Sequence, residues 1–567
     1  MSENIVPKTS ANVPAFISAL ISMNSIRAFL IILLCVSSAL IVLTAFLLPF
    51  NGDEAIFLSN IHRAANGWQL GLLQTAHVHL FGWLPSVGDE ITQIKVGRVI
   101  YVGLWAVSLL LLHQLGCRLL DPFGALVSVV LFAVFLFSVT TAASFRIEGL
   151  VLPILLSVAL LLLNPTTARV AAAGALSGVA LALTIKVVLW APAFVGVLAV
   201  GLWDSQHRLR PILAGTMTGA ATYAGVLLAH WWLISTESDP APGIPIDGLA
   251  SIGTYMVFDR LVPQPLVLWG ALILNPVTWT LILTGFGLAL AGLREPEARR
   301  NSLVLLFLAS PIIWVVFYTN AFPYAYFVLI PTACLLAGKA FSRFMGTAEG
   351  IKGVTALLAL AAAAIPMTLF AVWELRQDHT RPQREVLSVV HRLFEEPVHY
   401  IDISGMVASF PREMPVITRA VLSGYRSAGV PVVTNYIRES HPPLLIVNST
   451  SLDVWSEDVL ESLDPDIRLL PQDEEAIRAT YAHYWADIFL AGRQWQDLGP
   501  GERHAFEIMV PGEHTLLAGS PVIVDGQPVA PGATIPLTEG QHELRTTSAE
   551  PDLRILWGKD LKLPAEE

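Results

Sequence analysis

Long apolar runs separated by short polar loops fill the chain up to Trp373, and shorter alternating patterns take over after it. Runs long enough to cross a bilayer, about 17 to 25 residues, lie at 26–49, 97–116, 122–143, 148–164, 169–185, 187–203, 211–234, 266–292, 301–319, 323–341 and 353–373. That pattern predicts a polytopic α-helical membrane protein of about eleven spans. Beyond Trp373, the helical run Glu385–Leu393 precedes two short apolar strands, His399–Asp402 and Leu444–Val447. This order predicts a small α/β unit with parallel strands over 374–499. From residue 500 the segments Ala505–Gly512, Val522–Val529 and Glu539–Leu544 read as hairpins, with Asp525-Gly526 as a turn. They predict a small β-sandwich over 500–567.

Composition agrees with the membrane class. With 54% hydrophobic and 14% charged residues, the chain has more apolar surface than a soluble fold buries and little charge to solvate it. The net charge of -11 conceals two unlike parts. Residues 1–373 carry 18 Lys+Arg against 15 Asp+Glu, whereas residues 374–567 carry 16 against 30. An acidic extramembrane region therefore follows a slightly basic membrane body. Neither part has the basic, aromatic-interleaved surface that nucleic acid requires. Cys35, Cys117 and Cys334 all sit in or beside apolar runs, where neither a disulfide framework nor a zinc spacing forms from them.

The Lys/Arg bias of the short loops sets the orientation. With a cytoplasmic N-terminus, twelve basic residues of the membrane body lie inside, among them Arg118, Arg169, Arg208, Arg210 and Lys339, and six lie outside. An odd number of spans then puts the acidic C-terminal region outside the membrane. The first run is too long for a signal peptide and lacks a small-residue cleavage site, so it is expected to be retained.

This topology collects the unusual polar residues on the outer side. The first outer loop, 50–95, opens with Asn51-Gly52-Asp53-Glu54 and contains His62, Arg63, His77 and His79. The next outer element is Ser144-Phe145-Arg146-Ile147-Glu148-Gly149, and Lys186 follows Thr184-Ile185 at the outer end of the fifth span. Tyr318-Thr319-Asn320-Ala321-Phe322-Pro323-Tyr324-Ala325-Tyr326 forms the outer turn between spans nine and ten. Ionised groups at such positions cost energy unless they pair or do chemistry.

The acidic pair after span one, the long first outer loop, the Arg-x-acid element, the Thr-x-Lys element and the Tyr-rich turn together resemble the GT-C glycosyltransferase superfamily. Within it the chain looks most like the branch of protein O-mannosyltransferases and lipid A aminoarabinose transferases, over roughly residues 25–373. The resemblance implies a catalytic membrane domain over 1–373 and a sugar donor carried on a polyprenyl phosphate. It also implies a glycan, lipid or protein acceptor at the outer face of the cytoplasmic membrane.

Chemistry assigns roles within that frame. An acceptor hydroxyl loses its proton as it attacks the anomeric carbon, so a carboxylate serves as general base, and Asp53 takes this role by resemblance. Glu54, about 100° further round the helix, is expected to orient the acceptor, the base or a metal. A departing lipid phosphate calls for fixed cations, assigned to Lys186 and Arg146. Glu148 either holds Arg146 or contacts the sugar, and Tyr324 and Tyr326 are candidate sugar contacts. Direct displacement inverts the anomeric centre. No cofactor is demanded, although a divalent cation is compatible with the acidic pair.

Each assignment has a plainer competitor. Asp53 suits the N-cap of a helix beginning at Ala55, Arg146 and Glu148 suit a simple pair, and Lys186 suits snorkelling from a span end. His77 and His79 suit an interfacial pair rather than a metal site. Trp68, Trp83, Phe81, Tyr324 and Tyr326 suit an interfacial aromatic belt. Tyr481, Tyr484 and Trp485 suit docking onto the membrane body, and the outer segment 235–265 has the length of a lid. At the level of function, the rivals are a transporter or lipid flippase and a non-catalytic glycan-assembly subunit. No two-fold similarity of halves, the mark of many transporters, is evident in the sequence.

Overall fold

A computed structural model of the chain describes residues 23–68, 70–234, 261–346, 351–411, 425–426, 428–463 and 468–563. The expected lid over 235–265 lies almost wholly outside the described residues. The chain divides into two units, one of residues 1–48, 69–81 and 94–378, the other of 49–68, 82–93 and 379–567.

The first unit is helical. Five helices are long and apolar enough to cross a membrane: α1 (Asn24–Leu47 of Met23–Leu47), the helix Glu90–Leu119, the helix Leu209–Ile234, Pro296–Val316 and Gly353–Glu374. Three more spans are helix pairs bent at a break, Pro122–Val134 with Leu136–Ala142 (70°), Pro265–Leu274 with Pro276–Gly292 (91°) and Pro323–Leu329 with Cys334–Met345 (63°). Three shorter apolar helices, Ile147–Leu162, Thr167–Leu183 and Ile185–Gly201, complete the set. These five, three and three elements fall on the eleven runs read from the sequence. The polytopic helical class therefore holds.

Several runs expected as straight spans are instead broken, for local reasons. Asn275 precedes Pro276, a residue that disfavours the helical region before it, and the Asn275 amide donates to the Ala271 carbonyl (3.1 Å) at the break. Its Oδ1 also accepts from the Leu136 amide across the bundle, at 3.2 Å. Pro331 ends the helix that begins at Pro323.

Helices cross closely where glycines remove side chains. A Cβ on Gly174 or Gly178 of Thr167–Leu183 would strike the backbone of Gly215 or Gly219 in Leu209–Ile234, so those two helices meet backbone to backbone. The core of the unit is aromatic and aliphatic, with Trp105, Phe132, Phe135, Tyr326 and Phe327 almost wholly buried. Arg98, also buried, donates to the Leu48 carbonyl (2.7 Å) and the Ala45 carbonyl (3.3 Å), placing a cation on the carbonyl end of α1.

The second unit is built on β-sheets. With β1 (Tyr400–Ile401), β2 (Leu444–Ile446), β3 (Tyr481–Trp485), β4 (Ile488–Leu498), β5 (Arg503–Ile508), β6 (Gly512–Leu517), β7 (Val522–Val524), β8 (Gln527–Val529), β9 (Thr534–Leu537), β10 (Gly540–Thr546) and β11 (Glu550–Trp557), one sheet runs β1-β2-β4-β11-β6-β9 with β3 on β4. A second sheet runs β5-β10-β7-β8. The expected parallel pairing is present in β1–β2, and the other paired strands among the described residues are antiparallel. Asp525 and Gly526, at φ 48 and 78, form the β7–β8 turn that Asp-Gly signalled.

Two expected boundaries differ. The long strand β4 pairs β2 on one side of residue 500 and β11 on the other, with Glu550 opposite Leu498. The α/β and β-sandwich parts therefore share a sheet. The first outer loop, read as part of the membrane domain, contributes residues 49–68 and 82–93 to this second unit.

Candidate active site

In the second unit, the helix Gly52–Ala65 begins with a reciprocal cap. The Asn51 side chain accepts from the Asp53 amide (3.0 Å) and the Glu54 amide (3.1 Å), while the Glu54 carboxylate accepts from the Asn51 amide at 3.1 Å. This is a capping box with Asn51 at the cap and Glu54 three residues on. The two acids thus have different fates. Glu54 is fully buried and closes the cap, whereas Asp53 is exposed on the first turn. Asp53 is not the N-cap, and a carboxylate there is stabilised by the amino end of the helix.

Polar contacts hold the neighbouring segments of this unit in place. Gln383 brackets the Phe50 backbone, accepting from its amide (2.9 Å) and donating to its carbonyl (2.8 Å). A Cβ on Gly52 would lie 3.1 Å from that of Ser404, so the chain passes close to that loop. Glu90 accepts from Ser409 (2.5 Å) and pairs with His391 (3.1 Å), and His62 pairs with Gln93 at 2.7 Å. The Glu90 hydrogen bond raises the His391 pKa above the ordinary imidazole value.

The first unit gathers the other candidates. Glu148, in the first turn of Ile147–Leu162, is buried and accepts from two cations, Arg146 at 3.4 Å and Lys186 at hydrogen-bond distance. Arg146 is the extended residue just before that helix, which lets its side chain fold back on Glu148. Lys186 lies in the 3-10 turn Ile185–Trp190, and Thr184 starts that turn by accepting the Lys186 amide at 3.3 Å. The Tyr324 ring faces both cations, 3.9 Å from the Arg146 carbon and 4.6 Å from the Lys186 nitrogen. Its electron-rich face adds attraction for both.

Glu148 thus joins two cations that come from different parts of the chain. A guanidinium and an ammonium held side by side are the donor types that phosphate oxygens accept. Tyr326 goes elsewhere. Its ring is buried against Phe135 and Phe137, within the aromatic core.

Two further groups of this unit escaped sequence reasoning. Gln74, at φ 62, accepts from the Thr184 hydroxyl at 3.5 Å, which ties the segment 70–81 to the start of the Lys186 turn. His230, buried in Leu209–Ile234, pairs with His79 (2.7 Å) and Thr75 (2.8 Å), so His79 partners a distant histidine, while His77 is itself buried. A histidine inside an apolar run is a signal in itself, and His230 was open to that reading. Among the described residues, no group of three or more His, Cys, Asp or Glu is placed to hold a metal ion. The divalent cation allowed by the sequence thus has no built site among them.

The sequence matches no family profile and no curated protein. Its fold does match solved structures. The Archaeoglobus fulgidus oligosaccharyltransferase in its apo form aligns with a TM-score of 0.51 at 11% identity, over 80% of this chain and 72% of that one. The same enzyme in complex with Zn and sulfate aligns with a TM-score of 0.50 at 10% identity, over 92% and 96%. At such low identity the likeness concerns architecture alone, a helical membrane body followed by a sheet-containing C-terminal region. The chain shares this fold with that enzyme.

Proposed function

We propose that the protein is a membrane glycosyltransferase that moves a sugar from a polyprenyl-phosphate donor to a cell-envelope acceptor on the outer face, with inversion. The observation that supports this reading is the Lys186–Glu148–Arg146 cluster on Tyr324, which holds two phosphate-type donors side by side in the membrane unit. Sharing a fold with oligosaccharyltransferases makes sugar transfer the activity to test first. Lys186 and Arg146 balance the charge that grows on the phosphate as the anomeric C–O bond breaks. Asp53 takes the acceptor proton. Its exposure on a capped helix start, with Glu54 already used, supports that assignment over a capping role. Tyr324 orients the two cations.

The test follows a radiolabelled polyprenyl-phosphate sugar with purified protein and cell-envelope acceptor, the wild type beside Asp53→Asn. Label passing to acceptor, with loss in the variant, is the expected outcome. Unchanged transfer by Asp53→Asn removes that residue as base. Movement of intact labelled lipid across vesicles, with no bond broken, favours the flippase instead.

A further inference from the structure

A second feature of the membrane unit lies at the opposite, basic ends of the same helices. Ile147–Leu162, Thr167–Leu183, the helix Ala191–Gly201 and Leu209–Ile234 enclose a groove of about 510 Å³, lined by Leu162, Ala173, Phe194, Leu198 and Ile212. That volume is in the range of small-molecule pockets, roughly 300–1,000 Å³. Its origin is steric. Gly174 and Gly215 let two helices touch along their backbones, so their side chains near the contact are small and leave space that Ala191–Gly201 does not fill.

Arg208 lines the same groove. It is the residue immediately before Leu209–Ile234, and its Nε donates to the Ser205 carbonyl (3.1 Å) while Nη2 donates to the Trp203 carbonyl. Those bonds fix the guanidinium at the rim. Arg169 and Arg210 are exposed at this same end, with one acid, Asp204, in the connecting loop. Trp203 and Val195 are well exposed at 59% and 66%, as residues facing lipid are.

We infer that this groove is a binding site for an anionic glycerophospholipid of the cytoplasmic leaflet. One acyl chain occupies the apolar slot and the headgroup phosphate meets Arg208, with Arg169 and Arg210 adding to the local potential. The Lys/Arg bias puts this end on the cytoplasmic side, where anionic lipid concentrates and basic pockets between helices recruit it. The inference does not depend on the transferase reading, because the Lys186 cluster plays no part in it.

The test uses delipidated full-length protein in nonionic detergent, titrated with dioleoyl phosphatidylglycerol or dioleoyl phosphatidylcholine and read by native mass spectrometry. The wild type is expected to hold one phosphatidylglycerol more tightly than phosphatidylcholine. Arg208→Gln lowers phosphatidylglycerol affinity roughly fivefold, the equivalent of about 1 kcal/mol per basic residue, and leaves phosphatidylcholine unchanged. Ala199→Phe, which projects a ring into the groove, removes the bound lipid of either headgroup. Equal wild-type affinity for the two lipids overturns the inference, and that comparison needs no variant. So does an unchanged Arg208→Gln, or displacement of phosphatidylglycerol by polyprenyl phosphate at equal concentration, which makes the groove a donor-chain site.

Discussion

Replacing Glu148 by Gln tests the physical basis of the cation cluster. The change keeps size and shape but leaves Arg146 and Lys186 buried without their shared counter-charge. Side-chain exposures of 2% for Glu148, 10% for Arg146 and 20% for Lys186 mean little water replaces it. At 3.4 Å and an effective dielectric of 20, the Arg146–Glu148 attraction alone is about 5 kcal/mol before desolvation. Removing one partner of such a buried pair costs roughly 3–5 kcal/mol net. Glu148→Gln is therefore expected to destabilise the membrane unit by about 3 kcal/mol in detergent-to-SDS unfolding titrations. Lys186→Met on that background should recover part of the loss, a coupling of about 0.5–3 kcal/mol. Inorganic phosphate should stabilise Glu148→Gln more than the wild type, because it binds the uncovered charge. A loss below about 0.5 kcal/mol, with no coupling to Lys186, would refute the desolvated-cluster argument.

Other expectations follow from single contacts. Asn51→Ala removes the capping box and should cost about 1 kcal/mol, seen as faster amide exchange at the start of Gly52–Ala65 and as reduced sugar transfer. The raised pKa of His391 comes chiefly from its Glu90 hydrogen bond. Its stabilisation is full below the unfolded value of about 6.5 and is lost as pH rises through the higher folded value. Stability of the second unit should fall over that alkaline-going window, by at most about 1 kcal/mol for a partly exposed pair, and His391→Gln should flatten the profile. Gly174→Ala would drive a methyl into the Gly215 backbone and should destabilise the membrane unit by roughly 1–3 kcal/mol, measured in the same titrations.

Span positions were legible because an apolar run of membrane length leaves few alternatives. Breaks were legible only in part. Pro276 and Pro331 mark two of them, but the 70° bend at Phe135 has neither Pro nor Gly at the break, and its partner Asn275 is 139 residues away. The helix start illustrates a signal read at the wrong residue. Asn51 with Glu54 three places on fits the capping pattern, yet the conspicuous acid, Asp53, drew the cap reading. The meeting of Arg146, Glu148, Lys186 and Tyr324 was visible only as shared sidedness, since no local pattern specifies which outer loops touch. The same holds for His79 with His230, and for β4, whose partners come from both sides of the boundary expected at residue 500.

The central claim is that Lys186 and Arg146 hold a lipid-linked phosphate. Equilibrium binding of radiolabelled polyprenyl phosphate to purified wild type and Lys186→Met, each checked for folding, addresses it without knowledge of sugar or acceptor. The wild type is expected to bind tightly and the variant to lose about tenfold or more, in line with the roughly 1.5–3 kcal/mol of a charged hydrogen bond. Equal binding by a folded Lys186→Met would contradict it.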